Sequence, residues 1–350
     1  MSKTQTAVFV TEIGKPVVRG SRPVPSPSNG QVLVKVTTTG LNALDALGRN
    51  YGLLIQETLP AVLGADVAGV VAEVGPDVTT FKQGDRIFGQ AALQNSDSRG
   101  LQEYALLDAQ FAAKSAAGFS DGQMASFPTN LVTAAVSLFD ESALGIPAPW
   151  TEAAAKFDYG AKSILIIGGG SNTGRYAIQL AALAGFGKII VVASAKKASE
   201  IRSLGATHVV DRSSAAATIV TEIRNVAGDD LLFALDTIQQ PDAQFIGVDA
   251  LSNTKKGKLA RLLTQGPVPA EKLSSEKQAG YEVKDVFGSS HAMKDTAAPL
   301  WARLTAYVEG GKIRPLTYAV IKGLDVEAIN RKLDGYSDGS TSGQCQVQMD

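Results

Sequence analysis

The chain has 350 residues, of which 45% are hydrophobic and 19% are charged, so it is not a disordered protein and is long enough for about two domains. Its 33 Lys and Arg residues nearly balance 34 Asp and Glu residues, and the net charge of -1 argues against nucleic acid or an anionic membrane as the main partner. One cysteine excludes an internal disulfide, and the lack of a signal region or of an apolar run near the ~20 residues of a membrane span predicts a cytoplasmic protein.

The first part of the chain has the pattern of a β-rich domain. Apolar runs rich in β-branched residues, bounded by glycine, proline and serine, predict strands at residues 7–10, 32–36, 67–74 and 87–88. Residues 21–30, rich in proline and serine, predict a loop. Repeated strands at this spacing are typical of a barrel-like unit.

Strands and helices alternate from residue 128 onwards. Short apolar strands are predicted at residues 163–167, 188–192, 208–210 and 231–235, and helices at residues 131–139, 175–184, 198–204 and 217–226. Such strands joined by helices indicate a parallel sheet that is covered on both faces. The alternation ends near Gly288, after which a helix at residues 299–309 and strands at residues 318–321 and 345–347 are expected.

A glycine-rich segment stands between the first buried strand of this region and the helix that follows. Its glycines would let the backbone approach a pyrophosphate, and the helix N-terminus would offer unpaired N–H groups. The spacing Gly-x-Gly-x-x-x-Gly is one residue longer than the standard dinucleotide fingerprint, and a ligand-free turn is the alternative. The segment predicts a cofactor site formed by Gly168, Gly170, Ser171, Asn172, Thr173 and Gly174.

The residues after the second buried strand predict which dinucleotide binds. NAD-binding folds usually place an acidic residue there to hold the ribose hydroxyls, but this chain has Ala, Ser, Ala, Lys and Lys at residues 193–197. A hydroxyl and cations would hold a 2′-phosphate instead. We therefore expect NADP, bound through Ser194, Lys197 and Arg212, although the lysines would also suit a solvated helix start.

Three motifs in this order resemble those of the medium-chain dehydrogenase/reductase superfamily. They are GADVAGVVAEVG at residues 64–75, GDRIFG at residues 84–89, and the glycine-rich segment. Within the superfamily the chain is similar to the zinc-independent quinone and enoyl reductases, including fungal trans-acting polyketide enoyl reductases. The resemblance implies an α/β protein with a GroES-like β-barrel domain, residues 1–127 completed by residues 289–350, and a Rossmann domain with a doubly wound parallel sheet at residues 128–288.

The resemblance also implies which residues act. Zinc-dependent members carry Cys where this chain has Asn42 and His where it has Ala65, so no metal site is expected. Asn42 belongs to an Asn-x-x-Asp motif of zinc-independent members and would lie near the nicotinamide and the substrate carbonyl, unless it only caps a turn. Tyr51 matches an active-site tyrosine loop of quinone reductases, and its phenol would donate to the acceptor oxygen, unless it is an ordinary exposed loop residue.

Three further residues match family positions beside the nicotinamide, namely Thr133, Phe287 and Gly288, with core packing of Thr133 and a plain strand end at Gly288 as the alternatives. Leu47 stands where many relatives carry Lys, which removes an obvious proton donor. Asp66 matches a family acidic residue, which we interpret as structural.

These features favour an NADPH-dependent reductase that transfers hydride to an α,β-unsaturated carbonyl or a quinone, with a role in fungal secondary metabolism. Its expected partners are a small-molecule substrate and, as the resemblance implies, a carrier protein or polyketide synthase. The alternatives are a redox-silent isomerase or cyclase of the same fold and a non-catalytic NADPH-binding protein. The substrate is not named by the sequence, because residues 94–100 and 254–282 read as loops without a recognisable motif.

Overall fold

Two separate segments of the chain build one compact unit, and the continuous segment between them builds another. The computed structural model describes residues 3–238, 243–262 and 266–349. The first unit comprises Met1–Thr129 and Ser289–Asp350, and the second unit comprises Asn130–Gly288. Each unit has its own sheet structure and its own hydrophobic core.

The first segment of the first unit is mainly β. It forms the strands β1 (Thr4–Val10), β2 (Val18–Pro23), β3 (Gln31–Leu41), β4 (Ala61–Val62), β5 (Asp66–Val74), β6 (Arg86–Gln90), β7 (Tyr104–Asp108) and β8 (Ala112–Lys114), with the helices α1 (Ala43–Tyr51) and α2 (Asp121–Met124). The loop predicted at residues 21–30 is wrong at its start, because residues 21–23 belong to β2 and pair with residues 4–6 of β1. This polar edge strand is largely exposed, so it lacks the apolar alternation that marks a half-buried strand.

The second unit alternates strands and helices. It forms α3 (Pro128–Phe139, from Asn130 onwards), β9 (Ser163–Ile167), α4 (Asn172–Ala184), β10 (Lys188–Ala193), α5 (Ala198–Ser203), β11 (His208–Asp211), α6 (Ala216–Ala227), β12 (Phe233–Asp236), α7 (Phe245–Ala250), β13 (Gly257–Arg261) and β14 (Tyr281–Asp285). In the described part of this unit the strands form a parallel sheet in the order β11-β10-β9-β12-β13-β14. The strand order therefore reverses beside β9, and ligands of such sheets bind at the carboxyl ends of the strands at this point.

Two strands of this sheet lie where the sequence predicts loops. β13 and the start of β14 fall within residues 254–282, so the loop expected there is wrong for these residues. β14 is the edge strand and only half buried, and its Glu282 and Lys284 are charged. Its apolar signal is therefore limited to Tyr281 and Val283, which pack against the core of the unit.

The second segment of the first unit adds α8 (Lys294–Glu309), β15 (Tyr318–Lys322), α9 (Val326–Asp338) and β16 (Gln344–Gln348). β16 pairs with β15 and, antiparallel, with β3, where Cys345 lies opposite Leu41. The larger sheet of the unit thus has the order β15-β16-β3-β5-β6-β8, with β7 also paired to β3. The C-terminal segment therefore completes a sheet that the N-terminal segment begins.

The predicted combination of a β-rich unit with a doubly wound parallel sheet is confirmed. The parallel sheet buries continuous apolar strands such as β9, whose five residues are all inaccessible to solvent or nearly so. None of the helices in the described ranges combines the length and the apolar character needed to cross a lipid bilayer.

Candidate functional site

The glycine-rich segment closes a tight turn between β9 and α4. Gly168 has a φ of +83°, and a Cβ atom there would lie 2.4 Å from Thr237 Oγ1. A Cβ atom on Gly174 would lie 2.3 Å from the Gly168 carbonyl oxygen. Both positions therefore require glycine, the first for its left-handed backbone and the second for the close approach of the helix to the turn.

Ser171 is the residue at which α4 is capped. Its Oγ accepts a hydrogen bond from the Gly174 N–H at 2.9 Å, which satisfies one of the unpaired donors of the first helical turn. The same Oγ lies 2.9 Å from Thr237 Oγ1, and Thr237 follows β12. The turn after β9 is thus joined to the end of β12 across the point where the strand order reverses, which is the position expected for a dinucleotide pyrophosphate.

The remaining residues of the predicted phosphate loop divide into two groups. Gly170 and Asn172 are partly exposed and remain accessible to a ligand. Thr173 is buried and donates to Asn130 Oδ1 at 3.1 Å, so its side chain links α4 to α3. A Cβ atom on Gly170 would lie 3.8 Å from Lys197 Cδ, so the structure brings the phosphate loop close to the predicted cation.

The residues predicted to select the dinucleotide lie at the ends of two adjacent strands. Ser194 follows β10, and Arg212 follows β11, with the Arg212 N–H donating to the Ala193 carbonyl at 2.9 Å. Lys197 and Arg212 are exposed. Asp211 was not predicted from the sequence, although its carboxylate accepts from the Ala195 N–H in the same corner and its position at the end of a predicted strand is a signal that could have identified it.

The Asp211 carboxylate accepts hydrogen bonds from a residue two positions further along the chain. Its carboxylate accepts from Ser213 Oγ at 2.7 Å and from the Ser213 N–H at 3.2 Å, and the Ser213 hydroxyl in particular holds its pKa below the usual range. The exposed cations Lys197 and Arg212 outnumber this carboxylate. The corner is therefore positive overall, which suits a phosphate better than a pair of ribose hydroxyls.

Thr133 and Gly288 are brought together, although they are distant in the sequence. Thr133 lies in the first half of α3, and Gly288 lies three residues after the end of β14. A Cβ atom on Gly288 would lie 2.0 Å from Thr133 Oγ1. Phe287, the neighbour of Gly288, is 43% exposed and so offers an apolar ring at the surface of the second unit.

In the first unit, Asn42 caps α1 and is buried, with 7% of its surface exposed. Its backbone N–H donates to Asp45 Oδ2 at 2.8 Å, and its side-chain Nδ2 donates to Asp66 Oδ2 at 2.8 Å. Asn42 therefore does cap a helix, as the alternative interpretation proposed, but its side-chain amide also binds Asp66 in β5. Asp45 and Asp66 are inaccessible to solvent, and burial raises the pKa of Asp45 and raises that of Asp66 to about 6.

Tyr51 is the last residue of α1 rather than a loop residue, and it is 72% exposed. Asn42 and Tyr51 stand at opposite ends of this helix, about 13 Å apart along its axis at 1.5 Å per residue. The structure therefore does not bring them together. Leu47, one helical turn before Tyr51, and Leu53, just after the helix, are also exposed, so this end of α1 presents an apolar surface.

The chain is similar in sequence and in fold to known dehydrogenases and reductases. Residues 28–131 match the family described as alcohol dehydrogenase GroES-like domain, so the predicted GroES-like domain is confirmed. Dehydrogenase orsE of Emericella nidulans is 30% identical to this chain over 363 residues, which cover 99% of each protein. Trans-enoyl reductase tazE of Aspergillus terreus is 28% identical over 282 residues, or 77% of this chain and 88% of that protein. A solved quinone oxidoreductase of Pseudomonas syringae pv. Tomato DC3000 shares the fold with a TM-score of 0.76 at 22% identity, over 98% of this chain and 99% of that one.

Proposed function

Because this chain belongs to the medium-chain dehydrogenase/reductase superfamily, in its enoyl- and quinone-reductase-like branch, we propose that it is a zinc-independent, NADPH-dependent reductase. That it is an oxidoreductase follows from its relatives. We propose that the hydride acceptor is an α,β-unsaturated carbonyl compound or a quinone. The observation that carries the proposal is the buried hydrogen bond between Asn42 and Asp66, an amide bound to a carboxylate where zinc-dependent relatives place metal ligands.

The residues at this position do not fit a catalytic zinc ion. Zinc is bound in proteins by thiolate, imidazole and carboxylate groups in a tetrahedral set. Here Asn42 supplies an amide, Ala65 supplies only a methyl group, and the Asp66 carboxylate accepts the Asn42 amide and the Thr129 N–H. Within residues 3–238, 243–262 and 266–349, no three His, Cys, Asp or Glu side chains are grouped so that they could hold a metal ion.

The second unit fits NADPH. The turn formed by Gly168, Gly170, Ser171, Asn172, Thr173 and Gly174 would hold the pyrophosphate, since it leads into the N-terminus of α4 and its Gly170 and Asn172 remain accessible. Ser194, Lys197 and Arg212 would hold the 2′-phosphate through a hydroxyl and two cations. Thr133, Phe287 and Gly288 would shape the nicotinamide position. When bound, NADPH supplies the hydride.

The first unit would bind the acceptor and stabilise the charge that develops on it. Hydride addition to a conjugated carbonyl leaves negative charge on oxygen, and hydrogen-bond donors can stabilise an enolate without a metal ion. We assign Asn42 as the donor to this oxygen. Because Tyr51 lies at the other end of α1, we assign its phenol to a second polar atom of the acceptor, with the exposed Leu47 and Leu53 contacting apolar parts of the same molecule.

The test is NADPH consumption by the purified protein with a panel of enones, enoyl thioesters and quinones. Turnover with at least one acceptor, unaffected by a metal chelator, is expected. Product formed from a candidate substrate without NADPH consumption would instead indicate a redox-silent isomerase or cyclase. NADPH binding without turnover across the panel would indicate a non-catalytic protein, and inhibition by the chelator would overturn the zinc-independent assignment.

The trans-enoyl reductase relative also suggests how the substrate is delivered. We propose that the acceptor is made in fungal secondary metabolism and that a carrier protein or polyketide synthase is a candidate partner. Leu47 stands where many such relatives carry a lysine, so the preference for a carrier-bound substrate has to be tested on this protein itself. The test compares turnover of the same enoyl group on a carrier protein and as a free thioester. A higher kcat/KM for the carrier-bound form is expected, and a preference for free quinones would argue against such a partner.

A further inference from the structure

Asp66 is the centre of a buried hydrogen-bond network in the first unit. Its Oδ2 accepts from Asn42 Nδ2 at 2.8 Å and from Gln344 Nε2 at 3.2 Å, and its Oδ1 accepts from the Thr129 N–H at 2.6 Å. The Asp66 carbonyl oxygen accepts from Thr39 Oγ1 at 2.7 Å. Groups from the N-cap of α1, the start of α3 and β16 thus meet at one carboxylate of β5 that has no solvent exposure, and β3 binds the main chain of the same residue.

Within this network, the Asp66 carboxylate binds the Asn42 amide and orients it. The oxygen and nitrogen of an asparagine side chain are nearly isosteric, so the amide can adopt two orientations unless its partners distinguish them. An ionised carboxylate only accepts hydrogen bonds, so the Asn42 nitrogen must face Asp66, and the Asn42 side chain also accepts the Asp45 N–H at the start of α1. The amide nitrogen carries two hydrogens, and binding one of them to a carboxylate fixes the direction of the other.

Asn42 is also fixed through its backbone. Asp45 Oδ2 accepts the Asn42 N–H at 2.8 Å, while Asp45 Oδ1 accepts the Gly64 N–H at 2.8 Å. Arg99, buried to 2% exposure, lies 3.8 Å from the Asp45 carboxylate and supplies a compensating charge. Two carboxylates, one from α1 and one from β5, therefore hold the main chain and the side chain of a single residue.

The backbone around Asp66 leaves just enough room for its carboxylate. A Cβ atom on Gly40 would lie 2.8 Å from Asp66 Oδ2 and 3.0 Å from Asp66 Cβ. Any larger residue at position 40 would therefore push on the oxygen that binds Asn42. The close approach of β3 to β5 at this point shows that the carboxylate occupies a site shaped for it.

We propose that Asp66 is a positioning residue, which acts on the reaction through Asn42 by setting the direction of the Asn42 amide toward the acceptor. This inference rests on the proposed function of Asn42 and replaces the purely structural interpretation of Asp66. Asp66 itself contacts neither cofactor nor acceptor. Its effect on turnover should therefore disappear once Asn42 is removed.

The kinetic test is a double-mutant cycle with Asn42→Ala and Asp66→Asn. Asp66→Asn places an NH2 group among donors, so the Asn42 nitrogen loses the carboxylate that fixes it, while the Asn42 side chain still accepts the Asp45 N–H. We expect kcat to fall about tenfold with little change in KM for NADPH. In the double variant kcat should match that of Asn42→Ala within about twofold, because a residue that acts through another adds nothing once its partner is gone. Additive losses, or a full kcat in Asp66→Asn, would overturn the proposal.

Gln344→Ala is the matched control, because Gln344 donates to the same oxygen of Asp66 but is not assigned to the acceptor. It should lower the free energy of unfolding while kcat stays within about twofold of the wild-type value. A kcat loss in Gln344→Ala as large as that in Asp66→Asn would mean that any damage to the network has this effect. Should Asp66→Asn fail to fold, Gly40→Ala displaces the same oxygen without changing its charge, and the same kinetic results are expected.

A second measurement is independent of turnover. In 15N-labelled protein the side-chain amide resonances of Asn42 can be assigned by their absence from Asn42→Ala. We expect them to shift or broaden in Asp66→Asn and to stay in place in Gln344→Ala. Unchanged resonances in Asp66→Asn would overturn the positioning role, whereas a lack of turnover by the wild-type protein would overturn the proposed function alone.

Discussion

Gly288 and Thr133 touch so closely that no side chain fits between them. A Cβ atom on residue 288 would lie 2.0 Å from Thr133 Oγ1 and 2.7 Å from Thr133 Cα. Rotation of the threonine side chain would relieve the first contact but not the second, which involves the backbone of α3. Glycine is therefore required at position 288 because the segment after β14 approaches α3 closely there. Thr133 and Phe287, which adjoin it, are the other residues assigned to the nicotinamide position.

Gly288→Ala should consequently move α3 away from the end of β14. We expect the free energy of unfolding to fall by about 1–3 kcal/mol, as for overpacked cores, and the Kd for NADPH to rise. Chemical denaturation and fluorescence titration would measure the two effects. Gly160→Ala is the control in the same unit, because a Cβ atom there would meet only Asp158 Oδ1 at 3.4 Å. Equal behaviour of the two variants would show that the contact has no role in cofactor binding.

Removing the cations at the ends of β10 and β11 should affect one cofactor and not the other. Lys197→Ala and Arg212→Ala should each weaken NADPH binding by about 1–3 kcal/mol, the range for a charged hydrogen bond. NADH binding should barely change, because NADH lacks the 2′-phosphate. The neighbouring exposed Lys196 provides a matched control, since Lys196→Ala removes the same charge one residue away. Equal losses for NADPH and NADH would identify a structural role instead.

Tyr51→Phe tests the phenol at the end of α1. Loss of a preorganised oxyanion donor typically costs about 10²–10³ in kcat. Tyr51 is assigned to a second polar atom of the acceptor and is 72% exposed, so we expect a smaller fall of about tenfold. NADPH affinity should stay unchanged. Tyr318→Phe, which removes a phenol bonded to Ser120 Oγ at 3.2 Å, should leave kcat unaltered. Full activity of Tyr51→Phe across the acceptor panel would make Tyr51 an ordinary surface residue.

The buried Asp66 also predicts a pH dependence of stability. Burial raises the pKa of Asp66 from 3.8 to about 6, although hydrogen bonds from Thr129 and Asn42 lower it. The charged groups Asp45 and Arg99 and the phenol of Tyr336 also interact with this carboxyl. A raised carboxyl pKa means that folding favours the protonated form, so the resulting stability is present below the unfolded pKa and is lost as pH rises through about 6.

Relative to Asp66→Asn, the wild-type protein should therefore lose up to about 3 kcal/mol of unfolding free energy between about pH 4 and pH 8. Chemical denaturation of both proteins at the two pH values measures this difference. Asp229 and Glu282, whose pKa values are lowered to about 2 by hydrogen bonds from Thr254 and Lys256, are common to both proteins and cancel. A pH-independent difference would show that Asp66 does not titrate in this range.

Local patterns predicted much of the fold. The continuous apolar runs of β9 and β10 and the glycine-rich turn between β9 and α4 are properties of neighbouring residues, so the sequence alone indicates a doubly wound sheet and its ligand-binding end. Edge strands are harder to predict from the sequence, because β2 and β14 face solvent and carry polar or charged residues that break the apolar alternation. Helix α1 was not predicted, since it has Gly48 within it and two exposed apolar residues, Leu47 and Tyr51, on its surface.

The candidate site shows the same division between local and distant relationships. Ser171 caps the helix that it immediately precedes, which its sequence position predicts. The partners of Asp66, in contrast, come from three parts of the chain, namely residues 39–42, Thr129 and Gln344, and Gln344 is separated from it by 278 positions. An aspartate at the start of an apolar strand does signal that a buried carboxylate needs donors, but only the fold identifies which donors these are.

Because the first unit is built from the two ends of the chain, it can be completed only after the second unit has been synthesised. β3 leaves the ribosome long before β16, its antiparallel neighbour, so the edge of β3 at residues 38–41 remains unpaired while the second unit is being translated. The second unit is continuous, and apart from β9 and β12 its neighbouring strands follow one another in the chain, so it can fold co-translationally as soon as its own residues have emerged. The unpaired edge of β3 is then the part of the nascent chain most exposed to misassociation, and the part that a chaperone would have to shield.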